Sequence, residues 1–277
     1  MGKTSRPPFN QLLSVALPIA RQAGAEIRRI YAQTVLAQEP QFETKPDQSP
    51  LTAADLAAHQ IIEQGLSLAT PDIEVVSEEG ADRHGINREE GVFWLVDPLD
   101  GTREFLSGNG EFTVNIAFID QSRPIFGVVY VPITGDCYWG GPAMGAFFQR
   151  QESEQPVPIS VASSRAHPWR VIASRSHLNA ATAALIDGLG PVSLLQAGSS
   201  LKFCRIAQGL ADIYPRLSPT CEWDTAAAQA VLEGAGGHVF DLNGKSLRYG
   251  KSDVLNPSFV ACSEPYTQVE TFIAPPK

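Results

Sequence analysis

Apolar residues recur at three- and four-residue steps across residues 9–33, at Leu12, Leu13, Ala16, Ile19, Ala20, Ala23, Ile27 and Ile30, and this spacing predicts an amphipathic helix. Pro18 falls inside the pattern and should kink that helix or mark its true first turn. Residues 36–50 are polar and proline-bearing, a loop, and Leu56, Ala57, Ile61, Ile62 and Leu66 then predict a second helix opened by Thr52-Ala53-Ala54-Asp55. Residues 73–77 and 93–97 are short apolar runs, read as buried strands that each deliver acids at the C-terminal end. Residues 112–119 alternate and 124–131 are β-branched and aromatic, which predicts an antiparallel hairpin.

Beyond the polar run 149–155 the rhythm changes. Strands at 170–173, 192–195 and 211–214 alternate with helices at 178–189, 200–208 and 224–234, an α/β order after an α+β beginning. Two packed lobes, 1–152 and 153–277, are the expected organisation for a chain of 277 residues.

Composition narrows the partners. A net charge of -9 disfavours a nucleic-acid backbone, which needs clustered Lys and Arg. No run approaches the roughly 18 uninterrupted apolar residues of a membrane span, and the first ten residues lack a signal-like apolar segment, so a cytoplasmic location is expected. The four cysteines form no CxxC pair and predict neither a zinc site nor a disulfide framework. GxSxG, Walker A and GxGxxG motifs are all absent.

The candidate chemistry lies in Asp97-Pro98-Leu99-Asp100-Gly101-Thr102, where a buried strand ends in one carboxylate and a proline turn presents a second. Hard divalent cations such as magnesium take oxygen ligands, and Glu78 and Glu79 at another strand end, with Asp224 at a helix start, could complete a multi-carboxylate site. Two such charges at about 4 Å repel by roughly 4 kcal/mol at an effective dielectric of about 20, so the cluster calls for cations. Each residue also has a plainer role open to it. Asp97 to Gly101 is ordinary turn chemistry, Asp224 could cap its helix, and Thr52 with Asp55 fits a capping box. Gly198-Ser199-Ser200-Leu201-Lys202 reads either as an N-cap or as a seat for a phosphate, and Arg216 and Arg175 are similar cases. Ser176-His177 lacks a third orienting group and reads as a surface or substrate contact.

The runs V-D-P-L-D-G-T from Val96, S-E-E-G from Ser77 and E-W-D-T-A-A from Glu222 together resemble the inositol monophosphatase superfamily. K-P-D-Q-S-P-L-T-A-A-D from Lys45, S-R-S-H from Ser174, and G-S-S-L-K-F-C from Gly198 with Tyr214-Pro215-Arg216 resemble its 3'(2'),5'-bisphosphate nucleotidase branch. The resemblance implies a layered α/β/α/β/α sandwich and a magnesium-dependent, lithium-sensitive phosphatase with two or three metal ions. It implies Glu78, Asp97, the Leu99 carbonyl, Asp100 and Asp224 as metal ligands, and Asp55 with Thr102 as the pair that activates water. Gly101, Thr102, Ser174, His177, Ser199, Ser200, Lys202, Arg216 and Asp224 are the implied substrate contacts.

Adenosine 3',5'-bisphosphate is the implied substrate, or its sulfated form, with removal of the by-product of sulfate assimilation as the role and a monomer or homodimer as the state. Inositol phosphates or fructose 1,6-bisphosphate on the same site are the alternative substrates, and a catalytically silent phosphometabolite sensor is the non-enzyme alternative. A haloacid-dehalogenase-type phosphatase places one residue between its acids, whereas Asp97 and Asp100 have two.

Overall fold

The computed structural model describes residues 6–35, 42–45, 50–80, 88, 90–152, 154–163, 168–175 and 179–273. The chain begins with helix α1 (Phe9–Thr34), followed by the short antiparallel pair β1 (Glu43–Thr44) and β2 (Pro50–Leu51) and helix α2 (Ala53–Ala69). Pro18 lies within α1, which runs on as one helix from Phe9, so the proline does not mark its first turn. Next come β3 (Glu74–Ser77), β4 (Val92–Asp100), the one-turn helix α3 (Thr102–Leu106), β5 (Thr113–Asp120), β6 (Arg123–Tyr130), β7 (Cys137–Gly141), β8 (Gly145–Gln149) and β9 (Val157–Ile159). These seven strands form one sheet in sequence order, β3 parallel to β4 and the rest antiparallel. The sheet runs past residue 152, because β9 still pairs with β8.

The second sheet contains β10 (Trp169–Ser174), β11 (Val192–Ala197), β12 (Ile213–Arg216), β13 (His238–Asp241) and β14 (Phe259–Cys262) in the order β11-β10-β12-β14-β13. It is mixed: β10 pairs in parallel with β11 and β12, while β14 is antiparallel to its neighbours. Four helices accompany it: α4 (Ala180–Gly188), α5 (Leu201–Ala207), α6 (Glu222–Gly234) and α7 (Tyr266–Ile273).

Five layers result, the α/β/α/β/α sandwich. Leu12, Ala16 and Ile27 of α1 and Ile62 of α2 pack on Trp94, Phe118 and Val128 of the first sheet. Phe203 of α5 and Ala227 and Val231 of α6 fill the space between Leu95 and Ala117 on one sheet and Ile172, Tyr214 and Phe259 on the other. Ile186 and Val269 cover the far face over Trp169, Val171 and Val260. Helix α6 is buried on almost every side, which a helix between two sheets requires. Its close approach to β6 explains Gly127, where an added Cβ would lie 2.2 Å from the Ala227 carbonyl oxygen.

One local feature positions the chemistry. The expected proline turn after Asp97 is instead a bulge within β4: Asp97 pairs with Asn115 and Asp100 with Thr113, so Pro98 and Leu99 lie opposite Val114 alone. Side chains three apart on a regular strand point to opposite faces, and the extra residue cancels that inversion. Proline fits because a bulge releases its residue from donating to the ladder.

Candidate active site

Asp97 and Asp100 open into a cleft of about 470 Å³ between the two sheets. Its first wall carries Glu78, Asp97, Leu99, Asp100, Gly101 and Thr102, and its second wall carries Ser174, Ser199, Lys202, Tyr214, Arg216 and Asp224. Glu78 extends the β3 pairing by donating its amide to the Val96 carbonyl at 3.0 Å, which places it beside Asp97. Gly101 adopts the left-handed conformation, φ 94°, and lets the chain turn from β4 into α3.

Burial pushes the Asp97 carboxyl well above its ordinary pKa, and the charges of Glu78, Asp100 and Asp224 push it further. Asp224 is raised likewise, first by burial and then by Asp100 and Glu78. Glu78 is pushed up to about 6, by burial and by Glu79, against the pull of Lys45. Four mutually repelling carboxyls thus face one cavity with too little positive charge among them.

Among the described residues no three acidic, histidine or cysteine side chains are gathered into a closed metal-binding cluster. Three of the cleft's carboxylates have partners within the protein. Glu78 accepts from the buried Lys45 ammonium at 2.8 Å, and Glu79 accepts from the same group. Asp100 Oδ2 accepts from Ser200 Oγ at 2.9 Å and Asn115 Nδ2 at 3.3 Å, and Asp224 Oδ2 accepts the Cys221 amide at 2.8 Å as the helix cap. The set nevertheless fits magnesium, which takes all-oxygen donors and keeps several waters, so it needs one or two carboxylates per ion rather than a closed cage.

Asp55 resolves two readings into one. Its Oδ2 accepts the Thr52 amide at 2.8 Å and the Thr52 hydroxyl at 2.5 Å, completing the capping box of α2. Its Oδ1 accepts the Thr102 hydroxyl at 3.3 Å. One oxygen is fixed by the helix and the other faces Thr102, and burial raises the carboxyl to about 6.

The second wall is more completely satisfied. Ser199 is held at a left-handed φ of 39°, and its hydroxyl lies 3.2 Å from Thr113 Oγ1. The Ser200 hydroxyl, 1% exposed, is 2.9 Å from both Asp100 Oδ2 and the Asp224 carbonyl oxygen and accepts from Asn115 Nδ2 at 2.9 Å. It sits behind a carboxylate rather than in the open cleft, unlike the substrate contact expected of it. Lys202 Nζ donates to the Ser199 carbonyl and lies 5.3 Å above the Tyr214 ring, and burial lowers its pKa to about 8. Arg216 donates to the carbonyls of Ser218 and Pro219, which aims it along this wall. Ser174 is buried at the end of β10. His177 and Ser176 lie outside the described residues. Arg175 pairs with Glu111 through two guanidinium nitrogens.

Sequence reasoning gave no role to Lys45, Thr113 or Asn115. An amide in the middle of the wholly buried strand T-V-N-I-A-F-I was the available signal for Asn115. Lys45 in a loop reads as solvated, and nothing local foretells its approach to Glu78.

Residues 9–274 match the family model described as the inositol monophosphatase family. The 3'(2'),5'-bisphosphate nucleotidase CysQ of Escherichia coli K12 is 44% identical over 249 residues, 90% of this chain and 98% of that protein. The protein of the same description from Salmonella typhimurium LT2 is 42% identical over the same shares. Among solved structures, CysQ from Bacteroides thetaiotaomicron, a bacterial member of that family, superposes with a TM-score of 0.76 at 37% identity, covering 92% of this chain and 98% of the other.

Proposed function

The chain belongs to the inositol monophosphatase family, and we propose that within it the protein is a magnesium-dependent 3'(2'),5'-bisphosphate nucleotidase that converts adenosine 3',5'-bisphosphate to AMP and phosphate. The observation that carries this reading is one cleft that joins four carboxylates, Asp224 from the second wall among them, with the cations Lys202 and Arg216. The first suits cations on the scissile phosphate and the second suits a further phosphate on the same molecule. The likeness to nucleotidases along most of the chain supports the same choice over inositol phosphates or fructose 1,6-bisphosphate.

Glu78, Asp97 and the Leu99 carbonyl, together with Asp97, Asp100 and Asp224, would hold two or three magnesium ions that neutralise phosphate charge and make water acidic enough to attack. The chain's own part begins at Thr102. Its hydroxyl donates to Asp55 Oδ1, which leaves the oxygen lone pairs free to accept a proton from the attacking water. Asp55, with a pKa raised to about 6, is near neutrality and takes the relayed proton, while its other oxygen keeps it from rotating. Water oxygen bonds to phosphorus, the bond from phosphorus to the 3'-oxygen breaks in line, and that oxygen leaves as a hydroxyl with a proton drawn from a second, solvent water. No covalent enzyme intermediate forms. Gly101 and Thr102 contact the scissile phosphate, Asp224 faces the departing oxygen, and Ser174, Ser199, Lys202 and Arg216 receive the nucleotide and its 5'-phosphate.

No helix among the described residues is long and apolar enough to cross a membrane. We place the enzyme in the cytoplasm, as a monomer or homodimer, clearing a by-product of sulfur metabolism. We place the lobe division after β9 rather than near residue 152, because that strand still belongs to the first sheet. The test is phosphate release from adenosine 3',5'-bisphosphate, inositol 1-phosphate and fructose 1,6-bisphosphate, with magnesium and with magnesium plus lithium. Preference for the nucleotide, with release inhibited by lithium, is expected. Preference for a sugar phosphate would overturn the specificity, and absence of release from all three would leave a sensor.

A further inference from the structure

Glu111 belongs to none of the motifs and does not line the cleft, yet its carboxylate ties the first lobe to two elements of the second wall. Oε2 accepts the Gly198 amide at 2.8 Å and Arg175 Nε at 3.1 Å, and Oε1 accepts Arg175 Nη2 at 3.0 Å. Arg175 follows the end of β10, one residue after Ser174, and Gly198 opens the turn that carries Ser199, Ser200 and Lys202. The contact is close. A Cβ on Gly198 would lie 2.7 Å from the Glu111 carbonyl oxygen and 2.7 Å from Glu104 Cγ, so the turn is seated directly on the first lobe. The next residue, Ser199, holds φ 39°, a left-handed conformation that is uncommon for serine.

We propose that Glu111 is a positioning residue that sets affinity for the bisphosphorylated substrate, by holding the Gly198 turn and the end of β10 in their binding arrangement; this rests on the nucleotidase reading above. A stability role does not account for the contact. The side chains of Glu111 and Arg175 are 28% and 44% exposed, and ion pairs of that exposure add little to folding. The pair also removes Arg175 from the phosphate contacts, because its charge is already matched, and leaves Lys202 and Arg216 as the cations of the wall. Ordering the turn before substrate arrives lowers the cost of binding without touching the reacting atoms.

The experiment compares wild type with Glu111→Ala, Glu111→Gln and Arg175→Ala at saturating magnesium. In Glu111→Ala, KM for adenosine 3',5'-bisphosphate should rise by roughly tenfold with kcat changed by less than about threefold, the pattern of lost uniform binding. Glu111→Gln keeps an acceptor for the Gly198 amide and should recover part of that loss, and Arg175→Ala should fall between. Hydrogen–deuterium exchange over residues 196–202, measured without substrate, should quicken in Glu111→Ala while the melting temperature moves by no more than about 2 °C. An unchanged KM with unchanged exchange, or an equal fall in kcat and stability, would overturn the proposal. Wild type that releases no phosphate from the nucleotide would instead overturn the nucleotidase reading, and exchange alone would then decide the positioning role.

Discussion

The two walls of the cleft differ in how far each is complete without a ligand. On the second wall the buried polar groups find partners inside the protein: Ser200 meets Asp100, Asn115 and Asp224, Lys202 meets the Ser199 carbonyl, and Glu111 holds Gly198. On the first wall Asp97 is 1% exposed, accepts the Leu99 amide at 3.1 Å, and faces Glu78, Asp100 and Asp224. A pre-ordered wall can receive a substrate as it stands. An under-neutralised wall must gain positive charge before it is stable in its ionised form, and this difference separates recognition from catalysis within one cavity.

The largest effect should come from Asp97→Asn, which removes a charge from the incomplete wall. Turnover should fall by more than about 10³-fold, the scale expected when a group central to transition-state charge stabilisation is lost. The metal-free variant should melt no lower than wild type at pH 8, because the substitution relieves repulsion and keeps an acceptor for the Leu99 amide. Calorimetric melting checks the second point, and a cooperative loss of fold would contradict it.

Lys202→Met acts on the other wall and should raise KM for the nucleotide by about tenfold to thirtyfold, leaving kcat nearer to wild type, by removal of a buried charge-assisted contact. Steady-state kinetics at pH 7 checks it. Ser200→Ala joins the two walls in one test. Its hydroxyl supports a carboxylate, so magnesium affinity should fall, by about tenfold at most for one neutral supporting contact, and KM for the nucleotide at saturating magnesium should stay close to wild type. A rise in KM with magnesium affinity intact would return Ser200 to the substrate contacts.

The same contrast explains what the sequence made legible. The acids of the cleft sit in short, local runs, Glu78, Asp97 and Asp100 at strand ends and Asp224 at a helix start, so the sequence alone singles them out. Both roles of Asp55 were visible too, but only coordinates show that its two oxygens perform one each. The second wall depends on contacts between residues 64 to 100 positions apart, such as Glu111 with Arg175 and Ser200 with Asp100. No period or spacing encodes them. Strands β7, β8 and β9 escaped the periodicity reading because C-Y-W-G-G and G-A-F-F-Q are short and glycine-rich. Gly141 is required there, since a Cβ would meet the Ile125 carbonyl oxygen at 2.0 Å, and the sequence shows the glycine but not the neighbour. Asp97-Pro98 resembles a turn because a bulge uses the same residue types as a turn.

The acids of the cleft, Asp224 included, are built to be ionised only with cations present, and linkage gives the sign of the effect. Asp55 and Glu78 have folded pKa values raised to about 6, and burial and neighbouring carboxylates hold Asp97 and Asp224 well above the ordinary carboxyl range, so the folded metal-free protein holds more protons than the unfolded chain above about pH 4. Their stabilising contribution is complete below the unfolded values and is lost as pH rises through the folded ones. Calorimetric titration of magnesium into the metal-free protein at pH 6, repeated in buffers of different ionisation enthalpy, tests this directly. The account predicts saturable binding that releases protons, and a rise in melting temperature on adding magnesium that is larger at pH 8 than at pH 5. Magnesium binding without proton release and with equal stabilisation at both pH values, or no binding at all, would contradict it.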